Sequence, residues 1–383
     1  MHYRRVSADG HIDLNWLPPE LFTSAAPAAF KDRMPYVVED PLGPTWVTNK
    51  GVRFGLANGV GPTGRKYTPG KLGRVDVMET TGLFSDGEKG IRRVTDPDMR
   101  LRDLEYDGTD AEIIYGMLGV ATRMNDPEAA VVAMRIYNDW AREFASVHPD
   151  RQIPLAIIPN HDVDVAITEV RRAAKMGLKG LDLTVSWDME SFAHPMWGPF
   201  FSAVADVDLP LHLHTAPHMP WSFRERFPGL AGDVLNYQVT SVFQMTLGNM
   251  ISAIIGLGIL EKYPHFRVGF GECGTGWIPY LLERMDFLYQ DSYRQLPLKA
   301  LPSEYWRRQC RATFQYDEVG ASLVDRMGIE SLMWGSDFPH LDGVWPESQK
   351  YIDRQFAKLP ADQVRRITCE NAVEFYRLPA SEM

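Results

Sequence analysis

Four short stretches hold the side-chain types that bind a divalent cation or move a proton. Asp9-Gly10-His11 places a carboxylate and an imidazole two residues apart near the N-terminus. His212-Leu213-His214 repeats that spacing with two imidazoles, and Glu272 closes an apolar run. Asp337 lies in Gly335-Ser336-Asp337-Phe338-Pro339-His340. On an extended segment, residues two apart point the same way, so each pair presents both groups to one side. Imidazoles and carboxylates converging on one place are a ligand set for an ion such as Zn²⁺ or Mn²⁺. Each stretch alone also fits something plainer. Asp9 can cap a turn, His11 can be a hydrogen-bonded core residue, His212 can pack below a site, and Asp337 can be an N-cap. The case for chemistry is that all four would fall at the same end of one architecture.

That architecture is read from the elements that must position them. Eight short apolar runs occur, at 5–8, 111–115, 153–158, 180–184, 209–214, 266–271, 311–316 and 332–335, each followed by a helix-like stretch. They are continuous rather than alternating, which predicts strands buried on both faces of a parallel sheet. Asp96-Pro97 and Asp126-Pro127 open helices, using proline in the first turn, and Gly177 closes one. Eight such units predict an α/β fold, a (β/α)₈ TIM barrel, whose active site lies at the C-terminal ends of the strands. Asp9, His11, His214, Glu272 and Asp337 all fall there. A doubly wound open sheet is the alternative, but no GxGxxG follows the first strand. Gly and Pro crowd residues 35–95, so that segment reads as an insertion after strand 1 with no regular sheet-and-helix pattern, and as a lid over the site. We therefore expect one domain over 1–383.

Composition narrows the partners. With 40 Lys plus Arg against 50 Asp plus Glu, the net charge of −10 speaks against nucleic acid and anionic membrane surfaces. Three scattered cysteines (Cys273, Cys310, Cys369) form no CxxC pair and suit a reducing compartment. No leader pattern and no run of about twenty apolar residues stands out, so the expectation is a soluble cytoplasmic protein. Met245 and Met250 read as core.

Four motifs in this order, DGHID, PLHLHTAP, YPHFRVGFGECGTGWIPYLLERMD and LMWGSDFPHLDGVWPES, resemble the amidohydrolase-related group that includes aminocarboxymuconate-semialdehyde decarboxylase. The resemblance covers the first strand and residue 96 to the end, not 35–95. It implies metal ligands at Asp9, His11, His214 (rather than His212) and Asp337. It also implies a divalent cofactor, Zn first with Mn or Co as alternatives. The decarboxylase members carry a histidine after strand 6, where this chain has Glu272. A glutamate beside a cation tends to stay ionised and suits water activation better than proton donation. For decarboxylation, Asp337, His212 or His340 would then supply the proton.

The resemblance implies non-oxidative decarboxylation of a carboxylated aromatic or cyclic small molecule. A metal-dependent hydrolase of an amide, ester, lactone or C–C bond is the alternative, and a catalytically silent binding barrel a third. Trp16, Trp46, Trp187, Trp221, Trp277 and Trp345 fall in predicted loops or junctions and suit an apolar ring. Arg53, Arg65 and Arg123 are candidates to hold a substrate carboxylate, with Trp221 beside it. Pro-flanked aromatic loops also suit contacts in a homodimer or higher homo-oligomer.

Overall fold

The computed structural model describes residues 2–71, 73–117, 124–183, 185–186, 188–214 and 229–379. Twelve strands are present among them: β1 (Val6–Ile12), β2 (Tyr36–Val38), β3 (Thr45–Val47), β4 (Arg53–Leu56), β5 (Ala111–Gly116), β6 (Gln152–Pro154), β7 (Ala156–Ile158), β8 (Leu181–Leu183), β9 (Leu211–His214), β10 (Val268–Gly271), β11 (Cys310–Phe314) and β12 (Leu332–Trp334). β1, β5 and β6 pair in parallel, and β7 through β12 form a parallel sheet in chain order. β6 and β7 are two halves of one predicted strand, parted at Leu155, whose N–H donates to Ile114 O at 2.9 Å. At the other edge Asp337 N donates to Asp9 O at 2.8 Å and His11 N to Phe338 O at 2.7 Å. The two sheets thus meet on both sides in a fold consistent with a distorted (β/α)₈ barrel. Every residue of β1, β5, β9 and β10 is buried, as the continuous apolar runs predict.

Helices return the chain between strands, and their starts are legible. Asp96, Asp126 and Asp162 cap helices Pro97–Tyr106, Pro127–Ala145 and Val163–Met176, accepting from the amides of Met99, Ala129 and Val165. Gly177, at φ 82°, closes the last of these in the left-handed region.

The 35–95 segment departs from expectation. It is not irregular: β2, β3 and β4 form an antiparallel sheet, and helices Gly73–Glu79 and Leu83–Glu88 follow. Trp46, Phe54, Met78 and Phe84 pack in one buried cluster with Ile12, Ile114 and Phe338 of the barrel. The segment therefore shares its core with the barrel instead of enclosing a separate one. Two further readings need correction. Met245 is exposed, while Met250 is half-buried against the core. Separately, Tyr237–Gly256 is a 20-residue helical stretch that is long and apolar enough to cross a membrane by length and composition only.

Candidate metal centre

Strand β1 sends two kinds of side chain in opposite directions. Asp9 and His11 point inward, while Gly10 faces the helices outside. A Cβ at Gly10 would stand 2.8 Å from Glu112 Oε2 and 3.4 Å from Arg100 Nη2, so glycine leaves room for that buried ion pair. Arg100 also donates from Nη1 to His11 O at 3.0 Å, fixing the backbone that carries the imidazole.

Inside, the groups foreseen from the sequence converge. His11 Nε2 is 3.2 Å from Asp9 Oδ1 and 3.0 Å from Asp337 Oδ1. His214 Nε2 is 3.8 Å from Asp9 Oδ1 and 3.9 Å from Glu272 Oε2. One donor atom each from Asp9, His11 and His214 lies within 4.8 Å of the others. Gly271 makes space for this, since a Cβ there would meet His214 Cδ2 at 2.5 Å. Asp337 and Glu272 follow β12 and β10 in the left-handed region, at φ 58° and 47°. Such backbone in non-glycine residues concentrates at functional sites.

The polar atoms are unequally satisfied. Asp9 Oδ2 accepts from Glu272 N at 2.9 Å and from the Thr313 hydroxyl. Asp9 Oδ1, His11 Nε2 and both carboxylate oxygens of Asp337 make no hydrogen bond among the described residues, though all are buried. Buried polar groups are almost always hydrogen-bonded. Here nitrogen and carboxylate atoms that make no hydrogen bond among the described residues face one another with no thiolate among them. They fit a divalent cation.

Electrostatics follows burial and neighbours. Burial would raise the Asp9 carboxyl, but contact with His11 and His214 holds it well below the ordinary range. Among the chain's own groups, the neighbours of Glu272 decide its charge. Burial, then Asp342 and Asp337, push its carboxyl well above the ordinary value, because the loop after β12 brings in acidic neighbours that spacing does not reveal. His340 stacks on His11 at a ring separation of 3.8 Å. Its Nε2 is 2.7 Å from Asp13 Oδ2 and its Nδ1 3.3 Å from Asp337 Oδ1. Burial opposes the charge on its ring, yet Asp337 and Asp13 raise its pKa well above the ordinary value.

His212 does not join the cluster. Tyr115 stands between, its ring 4.7 Å from that of His214 and its hydroxyl 2.8 Å from His212 Nδ1. Tyr376 stacks on the His212 ring at 5.4 Å. Burial pushes the His212 imidazole down to about 3, so it is a neutral ring packed beneath the site rather than a proton donor. Arg53 is exposed and paired with Asp40, joining no contact of the cluster. Arg65 lies within electrostatic reach of Asp342. Arg123, Trp187 and Trp221 fall outside the described residues. Trp16 sits 6.1 Å from the His340 ring, whereas Trp46 and Trp345 are buried core and do not face a substrate. Trp277 is half-buried and donates to Cys273 O.

Sequence reading missed Asp13, Tyr115, Asp182 and Asp342. Asp13 and Tyr115 carried a signal, since each continues the inward period of its strand. Asp182 interrupts an apolar run on β8. It is fully buried with neither oxygen hydrogen-bonded among the described residues, and burial pushes it up to about 7.

Residues 89–378 match the amidohydrolase family, and the chain belongs to it. Among curated relatives, gamma-resorcylate decarboxylase of Rhizobium sp. (strain MTP-10005) is 24% identical over 260 residues, covering 63% of this chain and 76% of that one. Among solved structures, an amidohydrolase of Mycobacterium avium subsp. paratuberculosis K-10 superposes with a TM-score of 0.74 at 17% identity, over 98% of both chains. A dihydroxybenzoic acid decarboxylase of Polaromonas sp. JS666, with bound manganese and the inhibitor 2-nitroresorcinol, gives 0.64 at 19% identity. That match covers 79% of this chain and 93% of the other.

Proposed function

We propose that this chain is a metal-dependent decarboxylase that releases CO₂ from an aromatic carboxylate without an oxidant. The observation that carries the reading is the buried convergence of Asp9, His11, His214 and Asp337, in which Asp9 Oδ1, His11 Nε2 and both Asp337 oxygens make no hydrogen bond among the described residues. The decarboxylase relatives support the reaction class. These four residues would hold one divalent cation. Zn suits the nitrogen and oxygen donors, and the manganese in the Polaromonas structure makes Mn the first alternative. Such an ion polarises a substrate oxygen and draws electron density from the ring.

The chain's own residues supply the proton. Loss of CO₂ breaks a C–C bond and leaves its electron pair on the ring carbon, which must gain H⁺. Glu272, with Oε2 at the edge of the cluster and a carboxyl inclined to stay protonated, is placed to deliver it. His340 has Asp13 and Asp337 on its two ring nitrogens, so it orients Asp337. Arg65, within electrostatic reach of Asp342, would receive the substrate carboxylate. The 35–95 segment covers the mouth in this reading. Asn15 Nδ2 donates to Gly59 O and Gly61 O, and Gly61 abuts Leu341.

We further propose a single structural unit, cytoplasmic, acting on a small molecule without nucleic acid or membrane. The acidic surface and three free cysteines support this. Exposed Leu230, Val234 and Tyr237 support a homo-oligomer, checked by light scattering on the eluting protein. The activity test is anaerobic incubation of metal-replete protein with hydroxybenzoates, scored for CO₂. Release that disappears in Asp337→Ala is expected. No release from any acid, or product carrying oxygen from labelled water, would overturn decarboxylation, the latter in favour of hydrolysis.

A further inference from the structure

One imidazole of the candidate metal centre lacks the usual means of fixing its ring. A histidine that ligates through one ring nitrogen normally donates from the other to an oxygen, which sets its orientation. His11 Nδ1 makes no hydrogen bond among the described residues, although the side chain is fully buried. Its ring contacts are aromatic instead. We infer that Tyr115 is a positioning residue for the metal, holding the His11 and His214 imidazoles by ring contact and held in turn by His212.

Strand register brings the first pair together. Parallel pairing of β1 with β5 sets His11 opposite Tyr115. The two rings lie 5.6 Å apart and 24° from parallel, an offset stack. The same phenol meets His214 edge-on, at 4.7 Å and 67°. One rigid ring thus limits the rotation of both imidazoles, whose Nε2 atoms each face Asp9 Oδ1.

The phenol has its own anchor. Its hydroxyl shares a 2.8 Å hydrogen bond with His212 Nδ1. His212 is fixed by the C-terminal helix Asn371–Tyr376. Tyr376 stacks on it at 5.4 Å, 7° from parallel, and Phe375 meets it edge-on at 5.7 Å. β10 leaves the space for these rings by carrying glycine beside them. A Cβ at Gly269 would strike the His212 ring, and one at Gly271 would stand 2.9 Å from the Tyr115 hydroxyl oxygen. For stability alone, two apolar side chains of the same shape would serve as well as this polar pair. The path from helix to metal runs through Tyr376, His212 and Tyr115 to His11 and His214.

This inference rests on the cluster being a metal site, as proposed above, and the test separates the two. Metal-free full-length protein is titrated with Zn(II) against a chromophoric chelator. The Co(II)-loaded form adds a visible spectrum that reports ligand geometry. Tyr115→Phe keeps the ring and removes its anchor, and His212→Leu removes the anchor from the other side. Each is expected to weaken Zn(II) binding about tenfold, the lower end of what orienting groups around a metal contribute, and to shift the Co(II) bands. His212→Asn, which sets an amide where Nδ1 lay, should retain the affinity and the bands of the wild type. Urea midpoints are measured alongside. Variants that lose stability but keep wild-type affinity and bands make Tyr115 ordinary packing and overturn this inference alone. So does a His212→Asn protein that binds as weakly as His212→Leu. Should His212→Leu not fold, Tyr115→Phe decides between the outcomes. A wild type that binds neither Zn(II) nor Co(II) overturns the metal centre as well.

Discussion

The two sides of β1 bury charge in opposite ways. Outside, Arg100 and Glu112 are fully buried, and the guanidinium is satisfied throughout. It makes two contacts with Glu112, one to His11 O at 3.0 Å and one to Val94 O at 3.2 Å. Inside, one residue away along the strand, Asp9, His11 and Asp337 are as deeply buried, yet key atoms have no hydrogen bond among the described residues. Removing one partner of a buried ion pair is strongly destabilising, because it leaves the other charge uncompensated. A buried polar atom left without a hydrogen bond costs stability as it stands, so its persistence marks a place suited to something that arrives later. The outer pair reads as scaffold and the inner group as the proposed site.

Substitutions on the two sides should therefore fail differently. His11→Ala is expected to fold, lose its bound metal and lower kcat/KM about a thousandfold or more, the loss of several kcal/mol of electrostatic stabilisation. Metal analysis and CO₂ release check this, and retained metal with retained activity would erase the distinction. Arg100→Met leaves Glu112 buried and alone, and should cost about 3–5 kcal/mol of stability in urea unfolding. A wild-type midpoint would show that the outer pair is not scaffold. Gly10→Ala sets a Cβ against Glu112 Oε2 and should cost about 1–3 kcal/mol by overpacking, again read from the unfolding midpoint.

Asp107 is the intermediate case, a buried carboxylate held by the Ser348 amide and hydroxyl, with Arg5 and Arg74 near but no ion pair to its side chain among the described residues. Burial pushes its pKa from 3.8 up to about 6, so the folded state binds this proton more tightly than the unfolded chain does. Its stabilising contribution is complete below pH 3.8 and is lost as pH rises through about 6. The slope is at most about 1.4 kcal/mol per pH unit. Asp107→Asn should flatten that part of the stability profile, measured by urea midpoints across the window. An unchanged slope would assign it to other groups.

Much of this was legible beforehand, for identifiable reasons. Barrel strands are buried on both faces, so β5, β9 and β10 show as unbroken apolar runs. Asp9, His11 and His214 show because inward residues on a strand recur every second position. The β2–β4 sheet did not show, since strands of three or four residues among Gly and Pro leave no periodic trace. Asp342 was hidden for another reason: its nearness to Glu272 arises from two loops that no local spacing connects. That nearness adds to burial in raising the Glu272 carboxyl. His212 and His214 are alike in type and spacing, and Tyr115, contributed by a different strand, sets their fates apart.

The edge where β1 meets the loop after β12 has a consequence for biosynthesis. Ser336 N donates to Ser7 Oγ across 329 residues of chain, and the ligand set is completed only there. Contacts so remote in sequence form late in folding. A ribosome-bound chain can therefore display Asp9 and His11 long before it owns a complete coordination sphere. Acquisition of tightly bound metal then reports the closing of the ring, and truncation before β12 should yield a chain that cannot retain it.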